Sequence, residues 1–169
     1  MNVIHPSFKH GSNFQIGEFN HIFEDVVVGD YVRIRSYVEL RPKTLIGNGC
    51  YLDSGVKSSG QCRIGDRVTL RYDSIIARGV EVEDDVFISP QLMTENVNHR
   101  GEEVGGAKIG VGDWDGSTEY RVFIGTNVTL AAGIVIVPGV VIGSKANVRK
   151  DITESGVYVG SPAKLLRRL

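Results

Sequence analysis

The sequence predicts an all-β fold, a parallel β-helix, from two observations of spacing and one of composition. Every sixth residue from Ile16 to Ile88 is aliphatic, except Ser58, and the spacing returns from Ile124 to Val148. An amphipathic helix would place apolar residues three and four apart, and 21 glycines disfavour helix further. A period of six is typical of a β-helix, in which each hexad supplies a short strand and a corner. The first aliphatic series is Ile16, Ile22, Val28, Ile34, Leu40, Ile46, Leu52, Ser58, Ile64, Leu70, Ile76, Val82 and Ile88.

A slower period of 18 residues indicates that each coil has three sides. Glycines follow the aliphatic position at this interval, so we expect residues 18 apart to lie above one another at the spacing of neighbouring strands, about 4.8 Å. The glycines of this predicted column are Gly11, Gly29, Gly47 and Gly65, continued by Gly125 and Gly143.

The corners of the coils are expected where small or turn-forming residues follow a strand. Residues 29–30, 47–48, 65–66 and 84–85 are Gly, Asn or Asp pairs. These residue types tolerate positive φ, and we therefore expect the left-handed corner residues at these pairs.

A second inward position lies four residues after each aliphatic one. It holds small or β-branched residues, which suit a narrow interior. Cys50 and Cys62 fall at this position, so we interpret them as core residues and expect neither a disulfide nor a metal role. The positions are Val32, Val38, Thr44, Cys50, Val56, Cys62, Val68, Ser74, Val80 and Val86.

The glycine column also predicts an insertion. Glu83 stands where a glycine is expected, and Gly125 follows it by 42 residues, one coil of 18 and about 24 more. We therefore expect one loop excursion over about 94–120, polar, rich in glycine and carrying Trp114, the only tryptophan. Long loops in compact domains are usually functional.

Composition narrows the class of function. The formal net charge of −1 provides no basic field for nucleic acid, and no apolar run reaches membrane-spanning length. The segment MNVIHP lacks the features of a signal peptide, so we expect a cytoplasmic protein with one domain over 1–169. Because the hexads begin near Val3, we expect no separate N-terminal catalytic domain of the kind found in nucleotidyltransferases whose C-terminal half is such a solenoid.

The pattern changes after Val148 to a basic tail. We expect residues 161–169 to form a short helical cap that covers the last coil. Leu165, Leu166 and Leu169 are its expected apolar contacts, and its cations are free for phosphate or solvent.

The hexads, a loop that carries a histidine, and the tail 160–164 (GSPAK) resemble the hexapeptide-repeat acyltransferases. The strongest stretch runs from Val122 to Lys164. The resemblance implies a left-handed β-helix, although ordinary parallel crossovers are right-handed. It also implies a homotrimer with three active sites, each between two neighbouring solenoids. Acetyl-CoA would lie toward the C-terminal coils, with no metal.

Two segments at the start of the loop resemble two different branches of this superfamily. Residues 86–94 (VFISPQLMT) resemble N-acetyltransferases of nucleotide-linked amino sugars, which typically continue with Thr-Asn-Asp and Pro-Arg, where this chain has Thr94-Glu95-Asn96 and His99-Arg100. Residues 98–100 (NHR) instead resemble xenobiotic acetyltransferases. The leading hypothesis is N-acetylation of an amino sugar carried on a nucleotide. The alternatives are O-acetylation of a sugar or a small hydroxylated compound, and a non-catalytic trimeric scaffold.

His99 is the predicted general base. The attacking group must lose a proton during acetyl transfer, and histidine accepts protons near neutral pH. Glu95, Glu102 or Glu103 would orient its ring. The residues expected to bind the acceptor are Glu95, Asn96, Asn98 and Arg100.

The other three histidines fall in the first coil. γ-Class carbonic anhydrases share this type of solenoid and hold zinc with three histidines across a subunit interface. The placement of His5, His10 and His21 disfavours such a site here.

The resemblance also implies the residues that bind acetyl-CoA. Phe123 takes a place where relatives often have tryptophan, small residues would line the pantetheine groove, and cations would bind the phosphates. The expected residues are Phe123, Thr126, Ala131, Ala132, Ser144, Arg149, Lys150, Lys164 and Arg167.

Overall fold

Three parallel sheets form the sides of a triangular prism. The computed structural model describes residues 1–169 and contains 24 short strands and no helix. The first 22 strands enter sheets A, B and C in turn, and the last two both join sheet C, so the sheets contain eight, seven and nine strands. The predicted all-β solenoid is confirmed.

The strands of each sheet follow the order of the chain. Sheet A contains β1 (Val3–Ile4), β4 (His21–Ile22), β7 (Glu39–Leu40), β10 (Lys57–Ser58), β13 (Ile75–Ile76), β16 (Met93–Thr94), β19 (Thr129–Leu130) and β22 (Asn147–Val148). Sheet B contains β2 (Lys9–His10), β5 (Val27–Val28), β8 (Leu45–Ile46), β11 (Arg63–Ile64), β14 (Glu81–Val82), β17 (Lys108–Ile109) and β20 (Val135–Ile136). Sheet C contains β3 (Gln15–Ile16), β6 (Arg33–Ile34), β9 (Tyr51–Leu52), β12 (Thr69–Leu70), β15 (Val86–Ile88), β18 (Val122–Ile124), β21 (Val140–Ile142), β23 (Gly156–Val159) and β24 (Lys164–Arg167).

Both inward columns fill the interior. From Ile22 to Val148 every residue of the aliphatic column within a strand is at most 4% exposed. Ser58, the exception in the series, is equally buried, and a hydrogen bond of 2.7 Å with the Thr44 hydroxyl satisfies its own hydroxyl there. Cys50 and Cys62 are buried in the core, as predicted, and both are free cysteines. Desolvation raises the pKa of Cys50 to about 11.

The left-handed corner residues also recur every six positions, but they differ from the predicted ones. Among the predicted pairs Asp85 alone has positive φ, and each glycine of the column is followed two residues later by the left-handed residue. The turn geometry therefore selects a position rather than a residue type. The non-glycine residues with positive φ are Asn13, Phe19, Asp25, Tyr31, Tyr37, Lys43, Gln61, Arg67, Asp73, Asp85, Gln91, Asn127 and Lys145.

The glycines at 29, 47 and 65 have a steric role instead. A Cβ on Gly47 would contact Oδ1 of Asp66 and the backbone of Gly65 in the next coil. That Oδ1 accepts the backbone N–H of Asn48 at 2.7 Å. Gly29 and Gly65 face Asn48 and Asp84 in the same way. The missing side chain thus leaves room for a ladder of side-chain acceptors along this corner.

The insertion is divided in two, which corrects the predicted single excursion over 94–120. Lys108–Ile109 returns to the prism as β17, where Ile109 pairs with Val82 below and Ile136 above. Ile109 follows Val82 by 27 residues rather than 18, so the first loop (residues 95–107) adds nine residues. The second loop (residues 110–121) adds nine more, because Ile124 pairs with Ile88.

The estimate of about 24 extra residues was wrong because two columns were joined. Gly125 follows a strand of sheet C, whereas Gly65 and Glu83 follow strands of sheet B. The residue that continues the sheet B column is Gly110, immediately after Ile109.

The C-terminal cap is a strand, and the predicted helical cap over 161–169 is wrong. β24 pairs antiparallel with β23, with Val159 beside Lys164. The last coil leaves a free sheet edge, and pairing satisfies its backbone groups better than a helix would. Leu165, Leu166 and Leu169 remain 41%, 64% and 52% exposed, so they do not cover the core as expected.

Candidate active site

The first loop is a β-hairpin that projects from the corner between sheets A and B. Val97 pairs antiparallel with Glu103, and the Val104 N–H donates to the Asn96 carbonyl at 2.9 Å. Asn98 forms the turn, since its Oδ1 accepts the N–H groups of Arg100 and Glu102 at 2.9 and 3.1 Å. Asn98 therefore holds the loop in shape, and its oxygen is not free for an acceptor.

His99 lies at the tip of this hairpin and is exposed. The carboxylates predicted to orient its ring have other partners in the chain. Glu102 binds Arg100 at 3.2 Å, Glu103 accepts from Asn96 at 3.3 Å, and Glu95 binds Arg149. The imidazole thus has no hydrogen-bond partner within its own chain.

Glu95 and Arg149 connect the base of the hairpin to the last complete coil. Nη1 of Arg149 lies 3.2 and 3.3 Å from the two carboxylate oxygens of Glu95. Each residue follows a strand of sheet A, and Ala131 follows the strand between them. Because Ala131 is small, the two longer side chains meet across it.

A basic pocket adjoins this contact. It has a volume of about 240 Å³. Arg149, Lys150 and Lys164 provide three cations against one carboxylate, Asp151, whose Oδ1 accepts the Val135 N–H at 2.9 Å. The net positive charge suits phosphate groups. The lining residues are Val148, Arg149, Lys150, Asp151, Ile152, Tyr158, Pro162, Ala163 and Lys164.

Of the other residues predicted to bind acetyl-CoA, Ala131 lies beside the Glu95–Arg149 contact and Ala132 follows it in the chain, whereas four others do not line the basic pocket. Phe123 lies on the outer face of sheet C, where its ring stacks on Phe87 with centroids 5.4 Å apart. Thr126 and Ser144 lie at the corner between sheets C and A, where Ser144 Oγ accepts the Thr126 N–H at 3.1 Å. Arg167 is in β24. Within one chain, these four residues are not brought to the basic pocket.

Sequence reasoning missed the structural role of Arg121. Its Nη1 donates to the carbonyls of Gly110 and Gly112 at 3.0 and 2.9 Å, which fixes the start of the second loop. Its Cζ lies 5.5 Å from the centroid of the Trp114 ring. The sequence contains only a weak signal of this role, because a single arginine before an apolar strand has no distinctive spacing.

The histidines and carboxylates of the chain are not clustered as metal ligands. No group of three or more His, Cys, Asp and Glu side chains is arranged to hold a metal ion. His10 stacks on Phe14 with centroids 4.7 Å apart, and His21 stacks on Phe23 at 4.0 Å. The structure contains no helix of the length and apolar character needed to cross a membrane.

Comparison by sequence finds curated relatives but no matching family model. The bifunctional protein GlmU of Carboxydothermus hydrogenoformans is 27% identical over 177 residues, covering 82% of this chain and 40% of that protein. The chain thus spans about two fifths of the length of that relative.

Comparison by structure finds acyltransferases with the same fold. LpxA of Bacteroides fragilis, a UDP-N-acetylglucosamine acyltransferase, matches with a TM-score of 0.75 at 20% identity, over 97% of this chain and 71% of that one. A point mutant of AntD, an N-acyltransferase of Bacillus cereus in complex with dTDP and coenzyme A, matches at 0.55 and 17% identity, over 95% and 83%. The chain has the left-handed β-helix fold of the hexapeptide-repeat acyltransferases.

Proposed function

We propose that this chain is a CoA-dependent acyltransferase that transfers an acetyl group to the amino group of a nucleotide-linked sugar. One observation carries the proposal. The Glu95–Arg149 contact joins a histidine-bearing hairpin to a pocket with three cations at one corner of the prism. LpxA is a UDP-N-acetylglucosamine acyltransferase, which supports a nucleotide-linked sugar as the acceptor here. AntD is an N-acyltransferase crystallised with dTDP and coenzyme A, which supports acyl transfer from CoA to nitrogen.

The basic pocket fits one end of CoA. Its volume of about 240 Å³ is below the usual range of about 300–1,000 Å³ for sites that enclose a ligand, so it would hold the phosphate-bearing end alone. Arg149, Lys150 and Lys164 would bind the phosphates by charge-assisted hydrogen bonds. Glu95 would position Arg149 by holding its guanidinium group.

His99 acts as the general base in this proposal. The acceptor nitrogen attacks the thioester carbonyl, and the imidazole takes the proton that the nitrogen loses. A new C–N bond forms, the C–S bond breaks, and the departing CoA thiolate receives a proton. The exposed position of His99 leaves its ring accessible to an acceptor.

A homotrimer would complete the site. Phe123, Thr126, Ser144 and Arg167 are not among the residues that line the basic pocket, so a neighbouring chain would present them if they bind the same CoA molecule. Val27 and Leu45, on consecutive strands of sheet B, are 38% and 46% exposed and provide apolar surface for such a contact.

Thiol release from acetyl-CoA tests the reaction. The acceptors are matched pairs of nucleotide sugars and free sugars that differ in one amino or hydroxyl group. We expect turnover with a nucleotide-linked amino sugar and little with its hydroxyl partner. Turnover restricted to hydroxyl acceptors would replace the proposal with O-acetylation, and no turnover together with no CoA binding would leave a scaffold.

A further inference from the structure

The second loop forms a cavity that is separate from the basic pocket. Its volume is about 340 Å³. Four residues of the loop face two corners of the following coils, and none of the residues proposed for catalysis or CoA binding contributes. The lining residues are Asp113, Trp114, Asp115, Ser117, Pro138, Gly139 and Ser155.

Trp114 is held in place within this cavity. Its indole Nε1 donates to the Thr118 hydroxyl at 3.1 Å, and that hydroxyl donates to the Tyr120 carbonyl at 2.8 Å. Arg121 packs against the ring and also binds two carbonyls of the loop. A half-buried aromatic ring with fixed neighbours is preorganised, which lowers the entropic cost of binding.

The charge of the cavity is negative. Asp113 and Asp115 both line it and neither forms an ion pair. The one cation nearby, Arg121, packs against the Trp114 ring, and its Nη1 donates to two backbone carbonyls of the loop. Asp115 accepts the Ser117 N–H at 2.9 Å, and hydrogen bonds from Ser117 lower the pKa of Asp115. These two carboxylates disfavour phosphate groups, and therefore CoA and nucleotide diphosphates, as ligands of this cavity.

We propose that this cavity binds a sugar ring that carries a free, protonated amino group. The indole ring offers an apolar face to the C–H bonds of a pyranose. The carboxylates accept hydrogen bonds from the ammonium group. The Ser155 hydroxyl donates to and accepts from the sugar hydroxyls, and the Ser117 hydroxyl, which donates to Asp115, accepts from them. Since a protonated amine is not a nucleophile, this is a binding position distinct from the position of acyl transfer.

The fluorescence of Trp114 tests this proposal directly, because the chain has one tryptophan. The protein is titrated with glucosamine, with N-acetylglucosamine and with methylammonium at constant ionic strength. We expect a saturable change with glucosamine, and binding at least about tenfold weaker for the other two, since each lacks either the charge or the ring. Equal binding of glucosamine and N-acetylglucosamine would overturn the role of the amine. Equal binding of methylammonium would overturn the role of the sugar.

Two variants assign the effect to the cavity. Asp113→Asn combined with Asp115→Asn should remove the preference for glucosamine while leaving the fluorescence of the free protein similar. Glu119→Gln removes a carboxylate from the same loop outside the cavity and should change nothing. A preference that survives the double substitution, or one lost with Glu119→Gln, would contradict the proposal. CoA binding and thiol release do not enter this measurement, so it fails or succeeds independently of the transfer reaction.

Discussion

Arg149 contacts both carboxylate oxygens of Glu95, at 3.2 and 3.3 Å, although 54 residues separate them in the chain. Ala131 occupies the coil between them. Its N–H donates to the Val148 carbonyl, while the Glu95 N–H donates to the Leu130 carbonyl. The contact therefore links the first loop to the basic pocket through the stacking of sheet A.

Glu95 is expected to act as a positioning residue that orients Arg149. The side chains of Arg149 and Glu95 are 48% and 34% exposed, so Glu95→Gln should change the free energy of unfolding by less than about 1 kcal/mol. CoA binding should weaken severalfold because Arg149 loses its orientation. Urea unfolding and calorimetric titration measure the two effects. Glu39→Gln, which removes the partner of Arg41 outside the pocket, is the control and should leave CoA binding unchanged.

His99→Ala tests the proposed base. Stability should not change, because the ring is exposed and makes no hydrogen bond in the chain. The rate constant kcat should fall by about 10²-fold or more, and added imidazole should restore part of it. His5→Ala, a change at an exposed histidine of the first coil, is the matched control. Full activity of His99→Ala would exclude this residue as the base.

Gly47→Ala tests the steric role of the glycine column. Replacing a glycine at negative φ ordinarily stabilises by about 0.4–1 kcal/mol, but the new Cβ would contact Asp66 and Gly65 in the next coil. We expect a loss of about 1–3 kcal/mol, as for an overpacked core. Gly49→Ala is the comparison, since its Cβ would lie 3.6 Å from Arg67 and the cost there is backbone strain alone. Stabilisation by Gly47→Ala would contradict the steric account.

The raised pKa of Cys50 predicts that the folded chain loses stability at alkaline pH. Burial raises the pKa of this thiol from 9.0 to about 11, so between these values the folded chain binds more protons than the unfolded chain. Its contribution is complete below pH 9 and declines as the pH rises toward 11, by up to about 1.4 kcal/mol for each pH unit. Cys50→Val, which matches Val32 and Val68 in neighbouring coils, should reduce this slope. Urea unfolding at several pH values measures it, and an unchanged slope would refute the assignment.

The sequence predicted the prism because its signal is repetitive. Each inward residue is constrained by the same cross-section, so Ile34, Leu52 and Leu70 repeat one requirement at 18-residue intervals. Even Ser58 fits, because Thr44 lies close enough to share a hydrogen bond with it.

Features that occur once were predicted less well. Lys108 and Ile109 form a strand of two residues between two loops, and so short a segment has no period to detect. The tail 164–167 pairs as a strand because of the free edge of β23, which is a tertiary cause that local spacing does not record. The positive φ of Tyr31 and Tyr37 likewise follows from the position in the turn, and tyrosine gives no signal of it.

The candidate site was predicted in part. Arg149, Lys150 and Lys164 do meet in one pocket, and Glu95 lies beside them. Neither Glu102 nor Glu103 forms the predicted hydrogen bond with His99 in the single chain, because Arg100 and Asn96 bind those carboxylates instead. Such competition among neighbours in a hairpin depends on its turn, which Asn98 sets.

CoA binding by the basic pocket is the central claim, and calorimetric titration of CoA tests it without knowledge of the acceptor. Lys150→Ala combined with Lys164→Ala is compared with Lys9→Ala combined with Lys57→Ala, which removes the same charge from exposed sites outside the pocket. We expect saturable binding to the wild-type protein and to the control, and affinity at least about tenfold weaker in the pocket variant. Absence of binding to the wild-type protein, or equal binding to both variants, would contradict it.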